Sequence, residues 1–259
     1  MPRPRPSSAP VTGELLDLGR FDIPGVAAQR RVRAYLPARR PRRAAPRPAL
    51  FLFDGQNVFD DAGSFAGAWH AHRAVDRYAA RRANPPVVIA IDHGHHARVD
   101  ELAPFRQGHR GGGAEALARW IAATLAPALR PALDLSDDPA ATVIGGSSLG
   151  GLAALYAHHR FPEVFGGALC MSPSLWFGRA EMFEYVAGEG VPWTSKVYLD
   201  VGGREPRGSM IGAALAMKRL LEARGYAAGR LRFTHDPRGR HHESAWRRRL
   251  PGALRFLFG

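Results

Sequence analysis

At 259 residues, with 46% hydrophobic and 23% charged side chains, the chain can bury a full core and has the composition of an ordinary globular protein. Its one cysteine, Cys170, excludes disulfides within the chain and a cysteine-based metal cluster. The formal charge of +13 raises nucleic acid as a partner, but Lys196 and Lys218 are the only lysines among 36 basic residues, and the arginines travel with Ala, Gly and Pro throughout.

The densest basic runs, Arg39–Arg47 and Arg247–Arg249, read as solvated surface. Neither is an aromatic-interleaved basic motif, and no zinc-finger spacing occurs, so nucleic acid is not an expected partner. No apolar run is long enough to span a membrane, and the start MPRPRPSSAP lacks the apolar segment of a secretory signal. The expected setting is therefore the cytoplasm, with no membrane partner.

Residues 1–12, rich in Pro, Arg and Ser without apolar periodicity, are expected to be disordered, with residues 13–259 forming one domain and no internal repeat. Glu14–Phe21 and Gln29–Leu36 alternate as an opening antiparallel pair. Short apolar runs then predict strands at Ala49–Phe53, Pro86–Ile91, Ala140–Ile144, Phe165–Cys170, Lys196–Val201 and Leu231–His235. Helical stretches separate most of them, at 67–82, 114–129, 149–159, 207–224 and 243–257. Alternation of strand and helix implies an α/β fold, with a mostly parallel sheet covered on both faces and its ligands at the carboxyl ends of the strands.

The strand predicted to end at Ile144 runs into Gly145-Gly-Ser-Ser-Leu-Gly-Gly151. A serine presented on a sharp strand-to-helix turn needs small residues two before and two after it. Ser148 has Gly146 and Gly150 there, whereas Ser147 would have Leu149, so Ser148 is the candidate nucleophile.

A serine hydroxyl needs a base, and the base a carboxylate, in the chain order Ser, acid, His for this architecture. Asp200, Glu205 and Asp236 are the acids nearest a later strand end. Asp200 lies inside its strand and is expected to face helices, Asp236 to cap a turn, and Glu205 to reach from its own strand end. His70, His72, His158 and His159 fall on predicted helices as surface or packing residues. His93, His95 and His96 precede Ser148 and no metal is expected on them, which leaves His241 and His242 as candidate bases.

The blocks LFLFDGQNVFDD, IDHGHHARVDELAPF, GGSSLGGLAALYAHHRFPEVFGGALCMSPSLWF, YLDVGGREP and GRHHESAWRRRLPGALRFLF occur in this order over roughly residues 14–258. Together they resemble the putative-esterase family of α/β-hydrolases, which includes enterochelin-esterase-like, esterase D-like and feruloyl or acetyl-xylan esterase-like proteins. The resemblance implies the α/β-hydrolase fold and a cofactor-independent serine esterase acting on a small-molecule ester through an acyl-enzyme. It places the acid on Glu205 and the base on His241. His242 stands where relatives carry Asn.

The resemblance also implies an oxyanion hole from the backbone N–H groups of Gln56 and Leu149. It puts Asp54, Asn57, Arg98 and His242 near the pocket. Arg98 and Glu101 match a family pair beside it and are expected to form an ion pair holding their loop. Trp176 is a candidate wall of the acyl pocket or a core residue, and residues 178–194 are a candidate cover. Acyl transfer to an alcohol, or a non-catalytic binding protein with a basic surface, are the alternatives.

Overall fold

The computed structural model describes residues 13–38, 45–64, 66–82, 84–178, 180–191, 195–205 and 209–259. The expected disorder of residues 1–12 lies outside them. Among the described residues the strands are β1 Glu14–Phe21, β2 Arg30–Leu36, β3 Ala49–Leu52, β4 Val87–Ile91, β5 Arg106–Gln107, β6 Arg110–Gly111, β7 Thr142–Ser147, β8 Gly167–Met171, β9 Lys196–Gly202 and β10 Leu231–Asp236. The helices are α1 Ala71–Ala79, α2 Arg98–Leu102, α3 Ala114–Trp120, α4 Ala126–Leu133, α5 Leu149–Arg160, α6 Glu181–Gly188, α7 Ser209–Ala223 and α8 Glu243–Leu257.

Eight strands form one sheet in the order β1-β2-β4-β3-β7-β8-β9-β10, and β5 and β6 form a separate hairpin. β1 and β2, and β2 and β4, pair antiparallel. Every pairing from β4 through β10 is parallel. The two-residue side-chain period splits each central strand between two cores. Phe51, Ile89 and Ile144 pack under α3, α4 and α5, while Leu50, Leu52, Val88 and Val143 pack under α1 and α8. Helices on both faces are what let the central strands be apolar throughout.

From β3 the chain goes to β4 on one side and later returns to β7 on the other. The direction of winding therefore reverses between β3 and β7, and the carboxyl ends of those strands open a crevice there. Phe53-Asp54 and Ser147-Ser148 stand at its lip.

Of the boundaries that differ from expectation, three do so for clear local reasons. β7 continues through Gly145 and Gly146 to Ser147, because a side chain at Gly145 would stand 2.8 Å from Leu169 Cβ and 3.0 Å from Leu52 Cδ2 in the neighbouring strands. Glycine there permits close packing; it does not mark a loop. Ala140 and Ala141, expected in that strand, belong instead to a 3₁₀ turn capped by Asp138, whose carboxylate accepts from the Ala140 N–H at 2.9 Å. The helix expected to stop near 129 runs on from α3 through a π-helical turn at Ile121–Leu125 into α4, with Pro127 in α4's first turn and Pro131 inside it.

Phe165 and Gly166 precede β8, and His70 precedes α1 in a left-handed conformation, φ 49°. His158 and His159 are packing residues, both buried. No helix among the described residues is long and apolar enough to cross a membrane.

Candidate active site

Ser148 joins β7 to α5 at φ 56°, ψ −121°, a conformation that L side chains other than glycine seldom adopt. The turn is held from three sides. The Ser148 N–H donates to Met171 O at 2.9 Å, while its carbonyl accepts from the Leu152 N–H at 3.1 Å and the Ser174 N–H at 3.0 Å. A Cβ on Gly146 would stand 2.6 Å from the Gly150 carbonyl carbon, and one on Gly150 would stand 3.0 Å from Asp54 Oδ2. The two flanking glycines thus let strand end and helix start touch and let the β3 loop close on both. Ser148 Oγ is half-buried and lies 3.0 Å from Ser174 Oγ. Leu149 begins α5, so its N–H belongs to the helix turn whose donors lack intrahelical acceptors.

Glu205 follows β9, and His241 precedes α8. The His241 Nδ1–H donates to Glu205 Oε2 at 3.2 Å, and the other carboxylate oxygen accepts from the Gly202 N–H at 2.8 Å and from the Ser172 hydroxyl. Burial pushes the Glu205 carboxyl up, but the bonds from His241, Ser172 and Gly202 outweigh it and hold the group below its ordinary value of 4.5. A depressed carboxyl stabilises the fold above its unfolded-state value and loses that contribution as pH falls through the folded one. Glu205→Gln is therefore expected to flatten the acid limb of stability below about pH 4.5 relative to the parent, read by chemical denaturation at stepped pH.

The other two acids are committed elsewhere. Asp200 is fully buried and accepts from Arg249 Nε at 2.8 Å, Arg249 Nη2 at 2.9 Å and the Ser172 N–H at 2.9 Å. Asp236 accepts from the Arg238 N–H at 3.1 Å, a turn cap. Breaking a buried pair leaves an uncompensated charge, so Asp200→Asn is expected to cost about 3 kcal/mol of stability in denaturant titration.

His242 caps α8, its Nδ1 accepting from the Ser244 N–H at 3.2 Å. His241, by contrast, lies edge-on to Trp246 at 5.0 Å between ring centroids. Trp246 Nε1 in turn donates to Ser172 Oγ at 3.0 Å, which ties the imidazole's neighbour to the carboxylate's.

The loops after β3 and β4 are locked together. Gln56 Nε2 donates to His93 O at 2.8 Å, and the His93 N–H donates to Gln56 Oε1 at 3.1 Å. The expected Arg98–Glu101 ion pair does not form. Arg98 instead grips Asp54 through two bonds of 2.6 and 2.7 Å, and Glu101 pairs with buried Arg30 while accepting the Gly94 N–H at 2.9 Å. Adjacent turns of one short helix thus serve different loops, which spacing alone could not separate. Burial of His93 lowers its pKa, so its imidazole is held toward the neutral form.

Ser147, Ser148, His241, His242, Gln56, Asn57, Arg98 and Trp246 all face one cavity of about 550 Å³. Asp54 does not line it but holds Arg98, which does. Trp176 does not line it. It packs instead against the apolar clusters under α5 and α7, and none of the described residues of 178–194 lines the cavity either. Among the described residues no group of three or more His, Cys, Asp or Glu is placed to hold a metal ion. The contributions of Ser172, Ser174, Trp246 and Arg249 were not anticipated, since only their nearness to strand ends or to His241 signals them.

A serine–histidine contact, between Ser195 Oγ and His158 Nε2, lies outside this site. Both residues are fully buried, Tyr226 closes the group at 2.7 and 3.0 Å, and burial pushes His158 down to about 3. None of its three residues lines a described cavity, and the cluster satisfies core polar groups.

The sequence profile of the family described as Putative esterase matches residues 25–257. The iron(III) salmochelin esterase of Escherichia coli O6:H1 is 30% identical over 258 residues, covering 96% of this chain and 58% of that protein. The uncharacterized protein YbbA of Bacillus subtilis is 22% identical, covering 90% of this chain and 94% of that one. Among solved structures, the BES protein from Bacillus cereus superposes with a TM-score of 0.73 at 20% identity, covering 99% and 98% of the two chains. The chain thus spans little more than half of the siderophore esterase it matches and nearly all of YbbA.

Proposed function

The chain belongs to the putative esterase family, carboxylic-ester hydrolases on the α/β-hydrolase fold, and from that premise we propose that Ser148, His241 and Glu205 act as its catalytic triad. The observation that carries this is their meeting in one place: a strained serine turn and a carboxylate-bound histidine open on the same cavity.

With Nδ1–H committed to Glu205, the Nε2 lone pair of His241 is the basic site. The reaction requires the Ser148 hydroxyl, which lies 3.0 Å from Ser174 Oγ, to turn toward that nitrogen across the shared cavity. As Oγ adds to the ester carbonyl, Nε2 takes its proton, and Glu205 stabilises the imidazolium. The backbone N–H groups of Leu149 and Gln56 receive the oxyanion, Gln56 being fixed by its reciprocal bonds with the His93 backbone. Collapse expels the alcohol with the proton from His241, leaving an acyl-Ser148. Water activated by the same imidazole then releases the acid, and no cofactor is required.

For substrate we propose an ester of a siderophore. The name of the 30%-identical relative, an iron(III) salmochelin esterase, points there. A panel of p-nitrophenyl, feruloyl, acetyl-sugar and siderophore-lactone esters tests this. The lactone is expected to show kcat/KM at least about tenfold above the others, equivalent to about 1.4 kcal/mol of transition-state preference. Turnover of the other esters with the lactone untouched would reject the siderophore and leave the esterase.

A further inference from the structure

The arginines that composition spreads along the chain gather at one concave place. Arg77, Arg81 and Arg82, at and beyond the last turn of α1, face Arg255 of α8 across a cavity of about 710 Å³. No acidic residue lines it. All 23 Asp and Glu residues of the chain fall among the described residues, and none makes an ion pair with these four guanidinium groups. Some exposed arginines elsewhere do find carboxylates: Arg31 with Asp17, Arg119 with Glu115, Arg248 with Asp236.

The arrangement is held from below. Tyr78, buried between the arginines of α1, donates its hydroxyl to Phe258 O at 2.6 Å and so clamps the end of α1 to the end of α8. Arg255 and Pro251 also border a neighbouring cavity of about 590 Å³ that is lined by Lys196 and Arg232 and by no Asp or Glu side chain. Neither cavity shares a lining residue with the one that holds Ser148.

We propose that the α1–α8 cavity binds a compact polyanion bearing two or more phosphate groups. Guanidinium forks match phosphate oxygens bidentately, and four arginines lining one cavity without a carboxylate partner favour a ligand of several negative charges over a single one. The site is concave, and Leu15 is the only large exposed hydrophobic side chain among the described residues, so the aromatic platforms that stack single-stranded nucleic acid are absent there. The phosphate groups could be presented by a free oligophosphate or by a phosphorylated lipid headgroup, and the two are separable by experiment.

Calorimetry with inorganic tripolyphosphate is the test, on the full chain, the R81Q/R255Q double variant, and a charge-matched control, R20Q/R106Q, on surfaces away from the cavity. Saturable binding near one per chain is expected, weakened at least tenfold in R81Q/R255Q and less than twofold in the control. Hydrolysis of a p-nitrophenyl ester should be unchanged in both variants. Equal weakening in the two double variants would reduce the effect to net charge and overturn the proposal, as would no saturable binding to the parent. A parallel arm with vesicles containing a bisphosphorylated inositol lipid assigns the source. Binding of tripolyphosphate and vesicles through the same arginines supports the site with a lipid ligand. Binding to vesicles or to a DNA duplex without tripolyphosphate overturns it.

Discussion

Ser148→Ala is expected to lower kcat for ester hydrolysis by at least about 10³-fold, leaving only what binding and the oxyanion donors supply. KM should move little, because the hydroxyl is used in bond formation and not in holding the ground state. Ser147→Ala is expected to stay within a few-fold of the parent. Ser147 is the last residue of β7, buried and paired with Met171, and although it borders the cavity it does not occupy the strained turn. The comparison matters because the two serines are adjacent in sequence and share a cavity, yet only one has the backbone that turns its side chain out of the strand. Steady-state kinetics on both, with melting temperatures to show that each is folded, measure the difference. Equal loss in the two variants would sever the link between backbone strain and nucleophile.

His241→Ala should fall about as far as Ser148→Ala, and the double variant should fall no further, since nucleophile and base act as one unit. Glu205→Gln should retain substrate binding and lose about 10³-fold in kcat through a misoriented imidazole that lacks its counter-charge. His242→Ala should keep most of the activity and lose about 1 kcal/mol of stability, because its ring caps α8. Asp236→Asn should likewise leave the rate near that of the parent. A collapse of kcat in His242→Ala or Asp236→Asn, with His241 and Glu205 variants active, would reassign the base or the acid while leaving the fold untouched.

The alternation of apolar runs and helical stretches was enough to place the sheet, because a parallel strand covered on both faces is apolar throughout and declares itself. The serine turn was legible for a similar reason: two glycines at fixed offsets report a backbone crossing that nothing larger could occupy. Partnerships of long charged side chains were not legible. Arg98 and Glu101 are three apart and one turn of helix makes them neighbours, yet Asp54 and Arg30, which are distant in sequence, claim them. Ser172 and Arg249 were invisible as supports of Glu205 and Asp200 because their roles arise only when β8, β9 and α8 pack together. Trp176 was ambiguous in sequence between pocket and core; it is half-buried and packs against the clusters under α5 and α7.

The same folded state brings a serine and a histidine into contact elsewhere, Ser195 with His158, and one measurement separates that pair from Ser148 and His241 on chemistry alone. Incubation of the parent protein with a fluorophosphonate, followed by proteolysis and mass spectrometry, reads which hydroxyl is nucleophilic. A single adduct on Ser148 is expected, absent in Ser148→Ala and strongly slowed in His241→Ala. An adduct on Ser195 or Ser147, or none on the folded protein, would contradict Ser148 as the nucleophile of this esterase.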